Sequence, residues 1–247
     1  MAVTPLDSAA EVLVATGHDP FARSSLRRAM VRGWTGEGAC AWLGVDPDDR
    51  TPYLSTLGAP EAVAALLTEL LPELPPKQRV TVPRGTPACL PAWVGMEGTD
   101  WDFRWLDAPP PVQPGEQLVQ PVDDDVAVKA LLAVSSPTAS AQPGDVAVRR
   151  WVGIREGGEL IACAADTTGE SGVGHLSSIA VHPDARGRGL AKAVTAALTR
   201  RLLDDGCDLV TLGMYAVNAV GRALYDSLGY RDDHRMTSGP LLVRGRW

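Results

Sequence analysis

His175–Leu203 reads HLSSIAVHPDARGRGLAKAVTAALTRRLL. Its opening, HLSSIAV, has the small and β-branched residues of a strand. Its close, LAKAVTAALTRRLL, repeats apolar side chains at the three- and four-residue spacing of an amphipathic helix. Between them lie Pro183 and the glycines Gly187 and Gly189, so the stretch reads as strand, glycine loop, helix. A helix start leaves backbone N–H groups unpaired and carries partial positive charge, and glycine lets backbone approach a ligand closely. The amides of Gly187, Arg188, Gly189, Leu190 and Ala191, with the Arg186 and Arg188 guanidinium groups, are therefore a candidate grip for a diphosphate. The same letters also fit a plain strand-to-helix turn with two exposed arginines.

Working outward, elements alternate on both sides of this stretch. Upstream come a short strand at Gln117–Gln120, a helix capped by Asp123–Asp125, and the hairpin RRWVGIREGGELIACAAD turning at Gly157-Gly158. Downstream come the strand DLVTLGMY, a helix over Ala219–Leu228 and a closing hairpin at Ser238-Gly239. A strand feeding a helix twice is a mixed α/β layout. The proline-dense APPPVQPGEQLVQP, Ala108–Pro121, marks a linker, which predicts domains at 1–110 and 111–247.

The first half repeats the second. PYLSTLG at Pro52–Gly58 matches GHLSSIA at Gly174–Ala180, APEAVAALLTELL from Ala59 matches LAKAVTAALTRRLL from Leu190, and RVTV at Arg79 matches LVTL at Leu209. Order and spacing across three elements predict a duplicated fold. Val181–Gly189, which contain the glycine loop, have no counterpart, so the first copy is expected to lack the grip.

With 247 residues and 45% hydrophobic content the chain has room for two units of about 120 residues each. A net charge of −7 and no basic run argue against a nucleic-acid partner; the acidic balance suits a cationic amine and equally an ordinary soluble protein. No apolar stretch reaches the roughly 18 residues of a membrane span and MAVTPLDSAAEV is no leader, so a cytoplasmic location is expected. Cys40, Cys89, Cys163 and Cys207 lack metal or disulfide spacing and are expected to be reduced and mostly buried. Lysine is scarce and alanine abundant, a composition suggesting a GC-rich bacterial genome.

Arg186, Gly189 and Ala191 match the Arg/Gln-x-x-Gly-x-Gly/Ala loop of the GNAT superfamily of N-acetyltransferases, which the segment from Gln117 to Trp247 resembles. Ile179-Ala180-Val181-His182-Pro183 falls where that family's splayed fourth strand holds pantetheine. Asn218, Tyr225 and Leu228-Gly229-Tyr230 match its N-x6-Y-x3-G-[FY] segment. The resemblance implies a GNAT-like acyl-CoA N-acyltransferase fold with a mixed sheet, acetyl-CoA as cofactor, and direct transfer to a primary amine on a small molecule or peptide.

By the same resemblance, Ile179, Ala180 and Val181 offer backbone to pantetheine, and residues 187–191 bind the diphosphate. Asn218 contacts pantetheine or caps a helix. Tyr225 protonates the leaving thiolate, the alternative being a core tyrosine. His175 stands where arylalkylamine N-acetyltransferases, which this strand resembles, carry the first histidine of H-x-H; Ser177 replaces the second. His175 is the candidate base acting through water, or a polar residue at a strand start. Strand alternation puts residues 175, 177, 179 and 181 on one face. His182 is expected in a turn, His18 and His234 have no partner pattern, and Cys163 is expected to be a buried hydrophobe rather than a nucleophile. Trp34, Trp42, Trp93, Trp101 and Trp105 read as packing more readily than as an acceptor pocket. The tandem arrangement is similar to that of mycothiol synthase, which acetylates a cysteinyl amino sugar. The competing class is a CoA-binding interaction module without catalysis.

Overall fold

The computed structural model describes residues 2–26, 29–45, 51–75, 77–169 and 172–243. Contacts gather into two units: one of Met1–Phe103, Tyr215–Val217 and Asp233–Trp247, the other of Arg104–Met214 and Asn218–Asp232.

The second unit carries the glycine loop. Its β8 (Gln120–Val122) leads into α5 (Asp125–Ser135), where the Asp124 carboxylate caps the helix by accepting the Ala127 N–H at 3.0 Å. β9 (Arg150–Glu156) and β10 (Glu159–Asp166) form the expected hairpin, with Gly157 and Gly158 both at positive φ. β11 (Val173–Val181), α6 (Leu190–Asp204) and β12 (Leu209–Tyr215) then make a strand, a crossover helix and a parallel strand. The order is β8-β9-β10-β11-β12, antiparallel except for the last pair. α6 buries Leu190, Ala193, Val194, Leu198 and Leu202 against one face of the sheet, the helical stripe read from the sequence. Val128, Leu131 and Leu132 of α5 pack against the other face with Cys163, Ala165 and Ala180. α7 (Ala219–Ser227) follows β12 and ends at Gly229, whose positive φ lets the Tyr230 N–H return to the Tyr225 carbonyl at 3.0 Å.

The first unit repeats this plan. β1 (Thr4–Leu6), α1 (Ala9–Ala15), α2 (Pro20–Ser25), β2 (Ala29–Gly36), β3 (Ala39–Val45), β4 (Pro52–Gly58), α3 (Pro60–Leu70) and β5 (Arg79–Pro83) give the order β1-β2-β3-β4-β5. These strands are again antiparallel except for β4 and β5, which flank the crossover helix α3. The duplication expected from three aligned segments is thus a duplication of topology. α4 (Thr86–Cys89), β6 (Val94–Met96) and β7 (Thr99–Leu106) follow.

Two local expectations are corrected. Gln117 and Leu118 lie in a 3-10 turn, Glu116–Leu118, and β8 starts only at Gln120. Ser238-Gly239 does not turn: β13 (Arg231–Val243) is one strand, pairing with β5 through Met236–Pro240 and with β6 through Leu241–Val243. The glycine is there because the Glu97–Gly98 backbone lies against it. A Cβ on Gly239 would sit 2.0 Å from the Glu97 carbonyl oxygen and 2.8 Å from the Gly98 Cα. Because β13 finds its ladder on β5, Asp233–Trp247 count with the first unit, while Arg104–Pro110 count with the second.

No helix among the described residues is long and apolar enough to cross a membrane. The crowding at Gly239 generates a stability prediction. Gly239→Ala should destabilise the fold by about 1–3 kcal/mol, the cost of forcing a methyl against backbone that cannot rotate away. An unchanged denaturant midpoint would refute the close-approach reading.

Candidate active site

The β11–β12 ladder runs from Val173/Leu209 to Leu176/Leu212 and stops, although β11 continues to Val181 and β12 to Tyr215. β11 is bulged just beyond that point. On the β10 side, Ala165 pairs with Ser177 but Cys163 pairs with Ala180, so Ser178 and Ile179 together oppose Ala164. Ser178 sits at φ 51, a conformation that costs a non-glycine residue about 1 kcal/mol or more. Its hydroxyl offsets the strain, donating to the Ala141 carbonyl at 2.8 Å and accepting the Ala141 N–H at 2.9 Å. Beyond the bulge, Ala180 and Val181 keep their β10 partners, Cys163 and Ala162, on one side, while backbone groups aimed at β12 meet no ladder.

The bulge also corrects the expected alternation. Leu176 packs in the cluster on the α6 face, and past Ser178 so do Ile179 and Val181, while Ala180 belongs to the α5 face. His175 and Ser177 therefore lie on the opposite face from Ile179 and Val181.

The open edge runs directly into the glycine loop. His182, a turn residue as expected, accepts the Asp184 N–H on its ring nitrogen at 3.3 Å, and Pro183–Ala185 make one 3-10 turn. Gly187 and Gly189 have φ of 77° and 78°, and a Cβ on either would meet no atom within 4 Å. Gly189 is the N-cap of α6, and no side chain caps that helix start among the described residues. The loop thus presents first-turn amides of Leu190 and Ala191 to open space, a cradle that fits an anion. Arg186 is exposed. Arg188 departs from its expected role: both terminal nitrogens bond Glu156 on the β9–β10 hairpin, at 2.9 and 2.6 Å, and this pair lowers the Glu156 pKa. Its side chain braces the loop.

On the α5 face, His175 joins a web of hydroxyls. Its ring Nδ1 lies 2.8 Å from the Thr211 hydroxyl, and its N–H donates to the Thr168 hydroxyl at 3.0 Å. Its carbonyl accepts the Thr167 N–H at 2.9 Å, and the Thr167 and Ser177 hydroxyls are 2.8 Å apart. Tyr225 lies in the α6-face cluster with its ring edge-on to Tyr230, centroids 5.8 Å apart. Burial pushes its phenol up to about 12, against a smaller opposing pull from the Arg104 guanidinium, so it is a proton donor at neutral pH. Arg104 is itself fully buried, compensated by Asp226 and by Asp232 at 3.2 Å. The two candidate catalytic side chains thus stand on opposite faces of the split strand. Asn218 caps α7, its side-chain oxygen accepting the Gly221 N–H at 2.8 Å.

The first unit departs from this arrangement. β3 and β4 pair without a shift from Ala39/Gly58 to Val45/Pro52, so there is no bulge. Its parallel ladder ends at Ser55/Thr81, and Thr56, aligned with Ser178, bridges the next step by donating its hydroxyl to the Thr81 carbonyl at 2.9 Å. β4 then passes through Ala59 straight into α3. The helix counterpart to α7 is the four-residue α4.

Elsewhere, Cys163 is fully buried with its thiol pushed up to about 12 by burial, and Cys40 to about 11. Neither is a nucleophile. Cys89 is exposed, against expectation. Trp34, Trp42 and Trp105 are core residues, whereas Trp93 is 46% exposed. The sequence missed the setting of His234: its ring bonds Asp19 at 2.9 Å and Asp233 at 2.8 Å. Burial opposes charge there, but the two carboxylates outweigh it and raise the pKa. A groove of about 560 Å³ lies along the distal half of α6, between Arg150, Arg200 and Asp204. Arg150 is held by Asp166 and Asp205 and Arg200 by Glu116, so the groove is a poor place for the chemistry.

Comparison with known proteins agrees with this geometry. Residues 129–230 match the Acetyltransferase (GNAT) family. An acetyltransferase of Pectobacterium atrosepticum is 34% identical over 76 residues, 30% of this chain and 54% of that protein. The mycothiol acetyltransferase of Paenarthrobacter aurescens is 40% identical over 70 residues, 28% of this chain and 22% of that protein. The chain thus spans about half or less of these curated relatives. A GCN5-related N-acetyltransferase structure from Sphaerobacter thermophilus covers 96% of this chain and 95% of its own at 16% identity, with a TM-score of 0.57, which establishes a shared fold over the whole length. The family match thus falls on the stretch that holds the split strand and the glycine loop, and the chain as a whole shares its fold with a GCN5-related N-acetyltransferase structure.

Proposed function

We propose that the chain is an acetyl-CoA-dependent N-acetyltransferase that acetylates a primary amine directly, with residues 111–247 as the catalytic copy and 1–110 as a degenerate one. The observation that carries this reading is the unpaired edge of β11 leading without interruption into the uncapped start of α6. An extended pantetheine arm needs strand-like partners and a diphosphate needs amides at a helix start, and the chain offers them in that order.

When bound, acetyl-CoA supplies an activated acetyl thioester. Main-chain N–H groups of Ile179, Ala180 and Val181 hold the pantetheine and polarise the carbonyl. Amides of residues 187–191, with Arg186, hold the diphosphate, and Asn218 shapes the start of α7 beside it. An alkylamine has a pKa near 10.4 and must lose a proton before attack; His175 receives it through water. Tyr225, protonated at any working pH, delivers a proton to the leaving thiolate.

We take the acceptor to be a small-molecule or peptide amine and the compartment to be the cytoplasm. The partial likeness to a mycothiol acetyltransferase makes a cysteinyl amino sugar one acceptor worth including. Thiol release from acetyl-CoA, followed over a panel of amines, tests the proposal. Turnover supports it, whereas tight binding without turnover with any amine favours the interaction module.

Two variants sharpen the test. Gly189→Asp places a carboxylate at the helix start and should weaken acetyl-CoA binding at least about tenfold, some 1.4 kcal/mol, relative to Gly189→Asn, which carries the same backbone strain at φ 78 without the charge. Unaltered affinity would mean that the loop is only a turn. Tyr225→Phe should lower kcat about 10²-fold and leave acetyl-CoA affinity intact, since only the hydroxyl is lost. Full activity in that variant removes Tyr225 from the mechanism.

A further inference from the structure

His175 of β11 is in register with Thr211 of β12, one step before the ladder ends at Leu176/Leu212. The histidine is therefore the last side chain on the α5 face before the strands part. Thr211 is fully buried, and its hydroxyl oxygen lies 2.9 Å from the Gly174 carbonyl oxygen and 2.8 Å from the His175 Nδ1. A hydroxyl has one hydrogen, and a carbonyl oxygen can only accept. Both contacts are hydrogen bonds in one assignment alone, with Thr211 donating to Gly174 and Nδ1–H donating to Thr211. The reverse assignment turns the Thr211 hydrogen to Nδ1 and sets two oxygen lone pairs against each other at 2.9 Å in a site without exposure. The His175 backbone is itself held at both its N–H, by Thr168, and its carbonyl, by Thr167.

We infer that Thr211 is a positioning residue: it fixes His175 as the Nδ1–H tautomer and so makes Nε2 the basic nitrogen of the site. Its catalytic consequence rests on the reading of His175 as the base for the incoming amine. A lone pair on Nδ1 would be taken up by the Thr211 hydroxyl; with Nδ1 protonated, the ring's lone pair is on Nε2. Thr211 touches neither amine nor thioester. It acts by selecting which nitrogen takes the proton.

The test is a long-range proton–nitrogen correlation spectrum of the 15N-labelled protein at a pH where imidazoles are neutral. With four histidines in the chain the spectrum is sparse, and the His175 signal is the one lost in His175→Gln. The wild-type protein should show Nδ1 protonated and Nε2 bare. Thr211→Ser, which keeps the hydroxyl, should preserve that pattern, and Thr211→Val, of similar shape, should shift the ring toward the Nε2–H form favoured by a free histidine side chain. Turnover of the amine found by the thiol-release panel should then fall about tenfold or more in Thr211→Val with acetyl-CoA KM unmoved, and recover in Thr211→Ser. An Nε2–H ring in the wild type overturns the inference without recourse to any variant, as does a Thr211→Val ring that stays Nδ1–H. Full turnover in His175→Gln would instead remove the base assignment while the tautomer result stands, so the two failures are distinguishable.

Discussion

The hydroxyl of Ser178, closed on both polar atoms of Ala141, is the contact on which the site depends. A residue at φ 51 inside a strand is strained, and without compensation β11 would relax into regular pairing with β10. The bulge does two things at once. It inverts the faces of β11, so that His175 and Ser177 look toward α5 while Ile179 and Val181 look toward α6. It also accompanies the end of the parallel ladder at Leu176, leaving backbone donors and acceptors unpaired in the middle of a sheet, where they are otherwise costly. Such exposure makes sense when a ligand's own amides complete the pairing.

The duplication gives an internal control. Both units lay down four antiparallel strands, cross over through a helix and add a fifth strand in parallel. Among the described residues, the second has the strained Ser178 and the Gly187–Gly189 turn between its parallel strand and crossover helix, where the first passes from β4 through Ala59 into α3. Thr56 replaces Ser178 and spends its hydroxyl on the Thr81 carbonyl, across the gap that the second unit leaves open. The same scaffold therefore persists with and without a site, because a regular strand is the default and the split one requires specific side chains.

What the sequence revealed was what short-range physics determines. The glycine loop, the α6 stripe, the Gly157-Gly158 turn and the repeat are local patterns, and each lies where it was read. The bulge escaped because alternation assumes a regular strand, and nothing in SSI announces that Ser178 will find Ala141 across 37 residues of chain. Ser238-Gly239 misled for a related reason: the dipeptide is a turn signal locally, whereas its glycine answers to backbone at Glu97 and Gly98. Arg188 was read as a phosphate ligand because the Glu156 carboxylate that holds it comes from another hairpin. His234 had no partner in sequence because Asp19 stands 215 residues away.

The central claim is that one split strand and one glycine loop make one cofactor site in a chain with two similar units. Calorimetric titration of the full-length protein with acetyl-CoA measures this directly. The account predicts a single saturable site per chain. Two sites per chain, or no binding at millimolar ligand, would contradict it.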